Sequence, residues 1–181
     1  MKWQMSVWVR SSLIVFLLLT VAGCDVLLGP RKGELVQTWE STDSPFKIRI
    51  NMHIERGGFM PALGGAYYVF QSAQLGSDEW REIMTFRHDD PNPIPADQVR
   101  FVNDKIAYVY MGWMYAVTTD SGISWNIWDG QKSLGNIKCC PYGFIQSVRM
   151  EPDGTGKMTL DSHAEPDTTK LTTRDFGQHW E

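Results

Sequence analysis

The chain has 181 residues, with 17 Lys and Arg against 21 Asp and Glu, and its net charge is −4 at pH 7. This length suggests one domain that can bury a core. The acidic balance argues against a nucleic-acid partner and against electrostatic attachment to anionic lipid.

Residues 1–23 have the features of a signal peptide. Lys2 and Arg10 form a positive region, and a largely apolar run of nine residues follows from Leu13 to Val21. That run is too short to span a bilayer, which needs roughly 20 residues. Removing these 23 residues, which carry two positive and no negative charges, leaves 158 residues with a net charge of −6.

The signal segment ends in Val21-Ala22-Gly23-Cys24, which resembles the lipobox of bacterial lipoproteins. The resemblance implies that Cys24 becomes the first mature residue and carries fatty acyl chains such as palmitate, which anchor the protein to a membrane of the cell envelope. Asp25 resembles the inner-membrane retention signal of enteric bacteria, and the choice between inner and outer membrane stays open. The alternative is an ordinary signal peptide followed by a chance cysteine.

The rest of the chain alternates between strand and turn patterns, without a convincing helical stripe. Residues 24–33 contain Gly29, Pro30 and Gly33 and predict a lipidated N-terminus and tether, followed by one all-β domain over residues 34–181. Residues 46–54 alternate apolar and polar side chains, as a half-buried strand does. Further strands are predicted at residues 35–39, 66–72, 80–87, 98–102, 106–110, 114–118, 125–128, 145–150, 157–160 and 170–173.

The most informative stretch is Thr118-Thr119-Asp120-Ser121-Gly122-Ile123-Ser124-Trp125. Asp120 can accept hydrogen bonds from the backbone of its own turn, and Gly122 allows the positive φ that such a turn needs. Trp125 begins the return strand with a large ring that can lock the hairpin onto a neighbour. The stretch therefore predicts a β-hairpin with a structural role for each of these side chains.

The hairpin pattern returns as Thr173-Arg174-Asp175-Phe176-Gly177-Gln178-His179-Trp180, with the two aspartates 55 positions apart. A degraded third copy ends at Trp80 and lacks the Asp-x-Gly core. Self-similarity at this period indicates blade-like sheet units, and the chain has room for about three of them.

Both stretches resemble the Asp-box, or bacterial neuraminidase repeat, Ser/Thr-x-Asp-x-Gly-x-Ser/Thr-Trp. The first copy matches every defined position, and the second has His179 where Ser or Thr is usual. Residues 99–125 are also similar to the repeat of photosystem II stability-factor-like propellers. The resemblance implies an all-β fold, either propeller-like or made of stacked twisted antiparallel sheets. It assigns structural roles to Thr118, Asp120, Gly122, Ser124, Trp125, Thr173, Asp175, Gly177 and Trp180.

About three units are fewer than the four to eight blades of ordinary propellers. The given sequence stops one residue after Trp180, which leaves the last unit without its return strand. We therefore expect residues 35–39 to pair with the last unit, which would close the fold and cover an open sheet edge.

Cys139 and Cys140 are neighbours in sequence, in a chain predicted to reach an oxidising compartment. Adjacent cysteines can bond only as a strained vicinal disulfide, and strained disulfides are the labile or regulatory ones. The alternatives are a rigid staple before Pro141 or two unpaired thiols. Zinc spacing is absent from the sequence, and Arg87-His88-Asp89-Asp90 favours a solvated loop, so neither a metal nor a cofactor is predicted.

Aromatic side chains supply the predicted binding surface. Trp113 beside Gly112, Trp128 and Tyr142 are its candidate members, because Trp and Tyr are favoured at protein interfaces and on sugar-binding faces. Sialidase chemistry would require several arginines, a tyrosine nucleophile and an acid/base carboxylate. Arg49 does not lie in the Arg-Ile-Pro motif of that family, so the sequence favours a protein that is not an enzyme.

The first functional hypothesis is a membrane-anchored envelope lipoprotein that binds a protein partner. It would act as an immunity-type inhibitor or as an assembly or stability factor, and it resembles the lipoproteins that block toxic lipases of the type VI secretion system. A glycan-binding or vestigial glycosidase-like module is the second hypothesis. A structural envelope protein is the third.

Overall fold

The computed structural model describes residues 31–42, 44–56, 64–94, 96–133, 142–162 and 169–181. These residues form eleven strands, a 3-10 turn at Ala96–Gln98 and one short helix, α1, at Gly130–Ser133. The fold is therefore all-β, as predicted. The strands are β1 Arg31–Glu40, β2 Lys47–Arg56, β3 Ala66–Ala73, β4 Arg81–His88, β5 Val99–Phe101, β6 Ala107–Met111, β7 Met114–Thr118, β8 Asn126–Asp129, β9 Tyr142–Met150, β10 Gly156–Ser162 and β11 Thr169–Thr173.

The strands form three antiparallel sheets, which correspond to the three predicted units. Sheet 1 has the order β1-β2-β3-β4, sheet 2 has β5-β6-β7-β8, and sheet 3 has β9-β10-β11. Within each sheet, every strand pairs with its neighbours in sequence, so each sheet is a meander. Such local pairing keeps the entropy cost of closing each loop small.

Sheet 2 lies between the other two sheets. Ala107, Val109 and Met111 of β6 point into an apolar layer shared with sheet 1, which includes Ile48 and Phe70. The alternate β6 residues, Tyr108 and Tyr110, belong to a second layer shared with sheet 3. Because both faces of β6 are covered, all five of its residues are buried, and its sequence is a continuous apolar and aromatic run.

The outer face of sheet 1 is polar. Arg49 Nε and Nη2 donate to Gln71 Oε1 at 3.1 and 2.8 Å, and Asn51 Nδ2 donates to the same oxygen at 3.1 Å. The guanidinium carbon of Arg49 also lies 3.9 Å from the ring centroid of Trp80, in cation–π geometry. The apolar layering therefore ends at sheet 1 on this side of the stack.

The outer face of sheet 3 is also polar. Strand register places Arg149, Lys157 and Thr172 side by side across β9, β10 and β11. All three are exposed, whereas the next residue of β10, Met158, is fully buried against sheet 2. Both ends of the stack thus present polar side chains to solvent.

The prediction that residues 35–39 close the last unit is wrong. β1 pairs with β2 at the edge of sheet 1, with Trp39 opposite Ile50. The connection between the two strands is fixed by Ser41, whose backbone N–H donates to Ile48 O at 2.9 Å and whose Oγ accepts from Ile48 N at 3.0 Å. Because the connection is short, pairing β1 with β2 costs less loop-closure entropy than pairing it with a distant strand.

Glu181, instead, forms two backbone hydrogen bonds with Thr172 of β11. Its backbone N–H donates to Thr172 O at 3.0 Å, and its carbonyl accepts from Thr172 N at 2.8 Å. The tether prediction also needs correction, because β1 already begins at Arg31. Cys24 and the other residues of the signal and tether up to position 30 lie outside the described residues, as do Cys139 and Cys140.

Candidate functional site

The first stretch that resembles the Asp-box, called the first box, forms a closed hydrogen-bonded hairpin between β7 and β8. Asp120 Oδ1 accepts from Thr118 Oγ1 at 2.8 Å and from Ser124 N at 2.9 Å, and Asp120 Oδ2 accepts from Ser124 Oγ at 2.6 Å. Gly122 N donates to Thr118 Oγ1 at 2.9 Å. The backbone at Ser121 and Gly122 is left-handed, with φ of 62° and 81°. Each side chain has the structural role that its residue type predicts.

The second Asp-box repeats this geometry after β11. Thr173 Oγ1 donates to Asp175 Oδ1 at 2.8 Å, and Gly177 N donates to Thr173 Oγ1 at 2.9 Å. His179, the one departure from the motif, takes the place of the hydroxyl, with its Nδ1 2.6 Å from Asp175 Oδ2. The second box thus holds the same hairpin through an imidazole and a carboxylate.

The first box fastens sheet 2 to sheet 1. Trp125 Nε1 donates to Ser72 Oγ at 3.0 Å, and Ser72 Oγ donates to Gly122 O at 3.2 Å. The ring of Trp125 lies edge-on to Phe46, with 6.4 Å between ring centroids. Ser72 lies on β3 and is buried, so the bonded pair joins sheet 1 to the first box.

The second box contacts sheet 2 at Tyr115. Tyr115 OH donates to Phe176 O at 2.9 Å, and its ring meets Trp180 edge-on, with 5.4 Å between centroids. Burial strongly raises the pKa of Tyr115, so its hydroxyl keeps its proton. Among the described residues, the buried Trp180 Nε1 has no hydrogen-bond partner, in contrast to Trp125.

The predicted aromatic binding surface does not form as expected. Trp128 is 8% exposed and lies in the layer between sheets 2 and 3, so its assignment to the surface is wrong. Trp113 is half-buried, and its ring packs edge-on against Phe86 with 4.8 Å between centroids. Tyr142 is the first residue of β9, and its side chain lies outside the described part of the chain.

Sequence patterns did not reveal the exposed features of the sheets. Leu35 and Val36 are about half exposed on β1, and Leu75, in the loop after β3, and Ile123, in the first box, are more than half exposed. The ladder between β1 and β2 shifts register on both sides of Leu35, and such irregularities are invisible in sequence.

Side chains of the Arg87-His88-Asp89-Asp90 stretch bond to other groups of the protein. Arg87 and His88 end β4, so the predicted loop begins only after them. Arg87 bonds Glu55 Oε2 on β2 and Asp89 Oδ1, and His88 Nδ1 lies 2.7 Å from Asp90 O. Within the described residues, no three His, Cys, Asp or Glu side chains are placed to hold a metal. Across the same residues, no helix is long and apolar enough to cross a bilayer.

Comparison with known proteins found no match. No protein-family model matches the chain, and neither the curated proteins nor the solved structures yielded a match.

We predict that docking against Phe46 makes Gly122 more sensitive to substitution than another left-handed glycine. A Cβ at Gly122 would lie 2.7 Å from the Phe46 ring, whereas a Cβ at Gly76, with φ of 77°, meets nothing within 4 Å. Gly76→Ala should lower the free energy of unfolding by about 1–2 kcal/mol for the backbone alone. Gly122→Ala should cost a further ~1–3 kcal/mol for overpacking. Urea unfolding measures both variants, and equal losses would contradict docking of the box.

We predict that the contribution of the second box to the free energy of unfolding decreases at acid pH. Burial raises the pKa of Asp175, but hydrogen bonds from the His179 side chain and backbone and from Thr173 outweigh it and lower the pKa to about 2. An unfolded aspartate has a pKa of about 3.9, so the ionised form stabilises the fold above that pH, and this contribution is lost as pH falls toward 2. The stability difference between wild type and Asp175→Asn should therefore shrink between pH 5 and pH 2 in urea unfolding. A difference independent of pH would show that the carboxylate does not carry the contact.

Proposed function

We propose that the protein is a membrane-anchored envelope lipoprotein that binds a protein partner and is not an enzyme. The partner is either a toxin that it inhibits, as an immunity protein does, or a component whose assembly or stability it supports. The Asp-boxes are consistent with this proposal because their polar side chains are engaged in their own hairpins and in contacts between sheets.

The observation that carries the proposal is the open edge of β1. Among the described residues, this ten-residue strand pairs only with β2 and forms the edge of sheet 1, and nearly all of its residues are exposed. Leu35 and Val36 are 49% and 50% exposed at the irregular part of the ladder. An open edge with exposed apolar side chains is a template for an added strand from another protein.

The position of β1 in the chain fits an anchored binding protein. Arg31, the first residue of β1, follows Cys24 by seven positions, and a connection of that length spans at most roughly 25 Å when extended. A lipid on Cys24 would therefore hold the edge strand close to the membrane surface, where a membrane-associated partner can reach it.

Glycan binding is the second candidate function, and one feature favours it. The outer face of sheet 1 carries the amides of Asn51 and Gln71, and Arg49, which donates to Gln71 Oε1, lies over the indole of Trp80. Amide groups next to an aromatic ring suit a polar ligand with apolar ring faces, such as a sugar. Binding of this kind would depend on Trp80 and would not need the edge of β1.

The anchor is tested by labelling growing bacteria that express the full chain with radioactive palmitate. Wild type should incorporate label and remain with membranes, whereas Cys24→Ala should do neither. A Cys139→Ala/Cys140→Ala variant is the matched control and should still be labelled. Unlabelled wild-type protein would rule out the lipoprotein assignment.

The binding edge is tested with the full chain purified from solubilised membranes. A Leu35→Glu/Val36→Glu variant should lose the protein that wild type captures, because the new charges would be buried by an added strand. The control, Leu75→Glu/Ile123→Glu, adds the same charge at more exposed apolar positions outside β1 and should keep it. The captured protein is then identified, purified and titrated against all three chains. Equal affinity for all three, or loss in the control alone, would contradict the edge as the binding site.

A further inference from the structure

A basic cavity lies on the outer face of sheet 3, at the end where β9 turns into β10. Its volume is about 420 Å³, and its charged and hydroxyl-bearing lining residues are Arg149, Glu151, Thr155, Lys157, Thr172, Thr173 and Arg174. Cavities of roughly 300–1,000 Å³ are the size that small-molecule ligands occupy in proteins.

The lining is cationic although the chain is acidic. Three cations and one carboxylate line the cavity, whereas the whole chain has a net charge of −4. Strand register brings these charges together, because Lys157 lies directly between Arg149 on β9 and Thr172 on β11. This local excess of positive charge favours an anion.

Most of the positive charge is available to a ligand. Arg149 Nε is 3.0 Å from Glu151 Oε1. This ion pair occupies one edge of the Arg149 guanidinium. Lys157 and Arg174 have no ion-pair partner within the described ranges of the chain. Thr155 Oγ1 and N both bond Asp153 Oδ1, at 2.7 and 2.9 Å, which fixes the turn at the mouth of the cavity.

We propose that this cavity binds a phosphate group of a small phosphorylated molecule or of a lipid headgroup. A phosphate carries up to two negative charges and three acceptor oxygens, which match two guanidinium groups and one ammonium. The volume leaves room for a small organic group beside the phosphate. The site lies on the opposite side of the stack from β1, so it is independent of the proposed partner-binding edge.

Isothermal titration of the full chain in neutral detergent micelles tests this site, with glycerol 3-phosphate and inorganic phosphate as probes. Lys157→Gln/Arg174→Gln should raise Kd at least tenfold, because it removes two of the three cations. Arg81→Gln/Lys105→Gln removes the same charge from exposed positions outside the cavity and is the matched control. It should keep the wild-type Kd.

Flotation with vesicles separates the two sources of phosphate. A Lys157- and Arg174-dependent preference for phosphatidylglycerol over phosphatidylcholine vesicles, without binding of the soluble probes, assigns a lipid headgroup. Binding of glycerol 3-phosphate without that preference assigns a soluble ligand. Wild type that binds neither probe nor anionic vesicles, or equal effects of the two double variants, would overturn the site. Circular dichroism shows whether each variant is folded, and Lys157→Arg, which keeps the charge, should retain binding.

Discussion

The fold depends on the contact that each Asp-box makes with the preceding sheet. A sheet of three or four strands has an apolar face that must be buried against another element. The boxes fix the position of the neighbouring sheet that buries it. Trp125 reaches Ser72 across the boundary between sheets 1 and 2, and Tyr115 reaches the carbonyl of Phe176 across the boundary between sheets 2 and 3. The same motif therefore closes a hairpin and orders the stack.

Hydroxyl groups allow polar atoms to lie at these otherwise apolar boundaries. Ser72, Thr118 and Thr173 are the buried polar residues among those described, and each takes part in hydrogen bonds of a box or its partner sheet. Tyr108 adds a bond from its hydroxyl to Val148 O at 3.1 Å, again between sheets 2 and 3. A buried polar group without such a partner would cost stability, so these hydroxyls favour one alignment of the sheets over others.

Local sequence patterns predicted the hairpins, but they did not predict how distant strands and sheets are placed relative to one another. The boxes and most strands could be read from sequence because turn chemistry and alternation act over a few residues. The partner of β1 depends on which sheet edge lies nearest after folding, and the burial of Trp128 depends on sheet 2 being covered on both faces. Lys157 and Arg174 are brought to one cavity by the pairing of β10 with β11, a register that composition does not encode.

The proposed functions use the edge of β1 and the outer face of sheet 3, where Arg174 of the second box lines the cavity. Their placement requires that the boxes hold the sheets together, and a double-mutant cycle of Ser72→Ala and Trp125→Phe measures this directly. Trp125→Phe keeps an aromatic ring and removes the donor to Ser72 Oγ. The stacked arrangement predicts a coupling free energy of about 1 kcal/mol in urea unfolding. Additive losses, with coupling within about 0.3 kcal/mol of zero, would contradict the claim that the Asp-box fastens one sheet to the next.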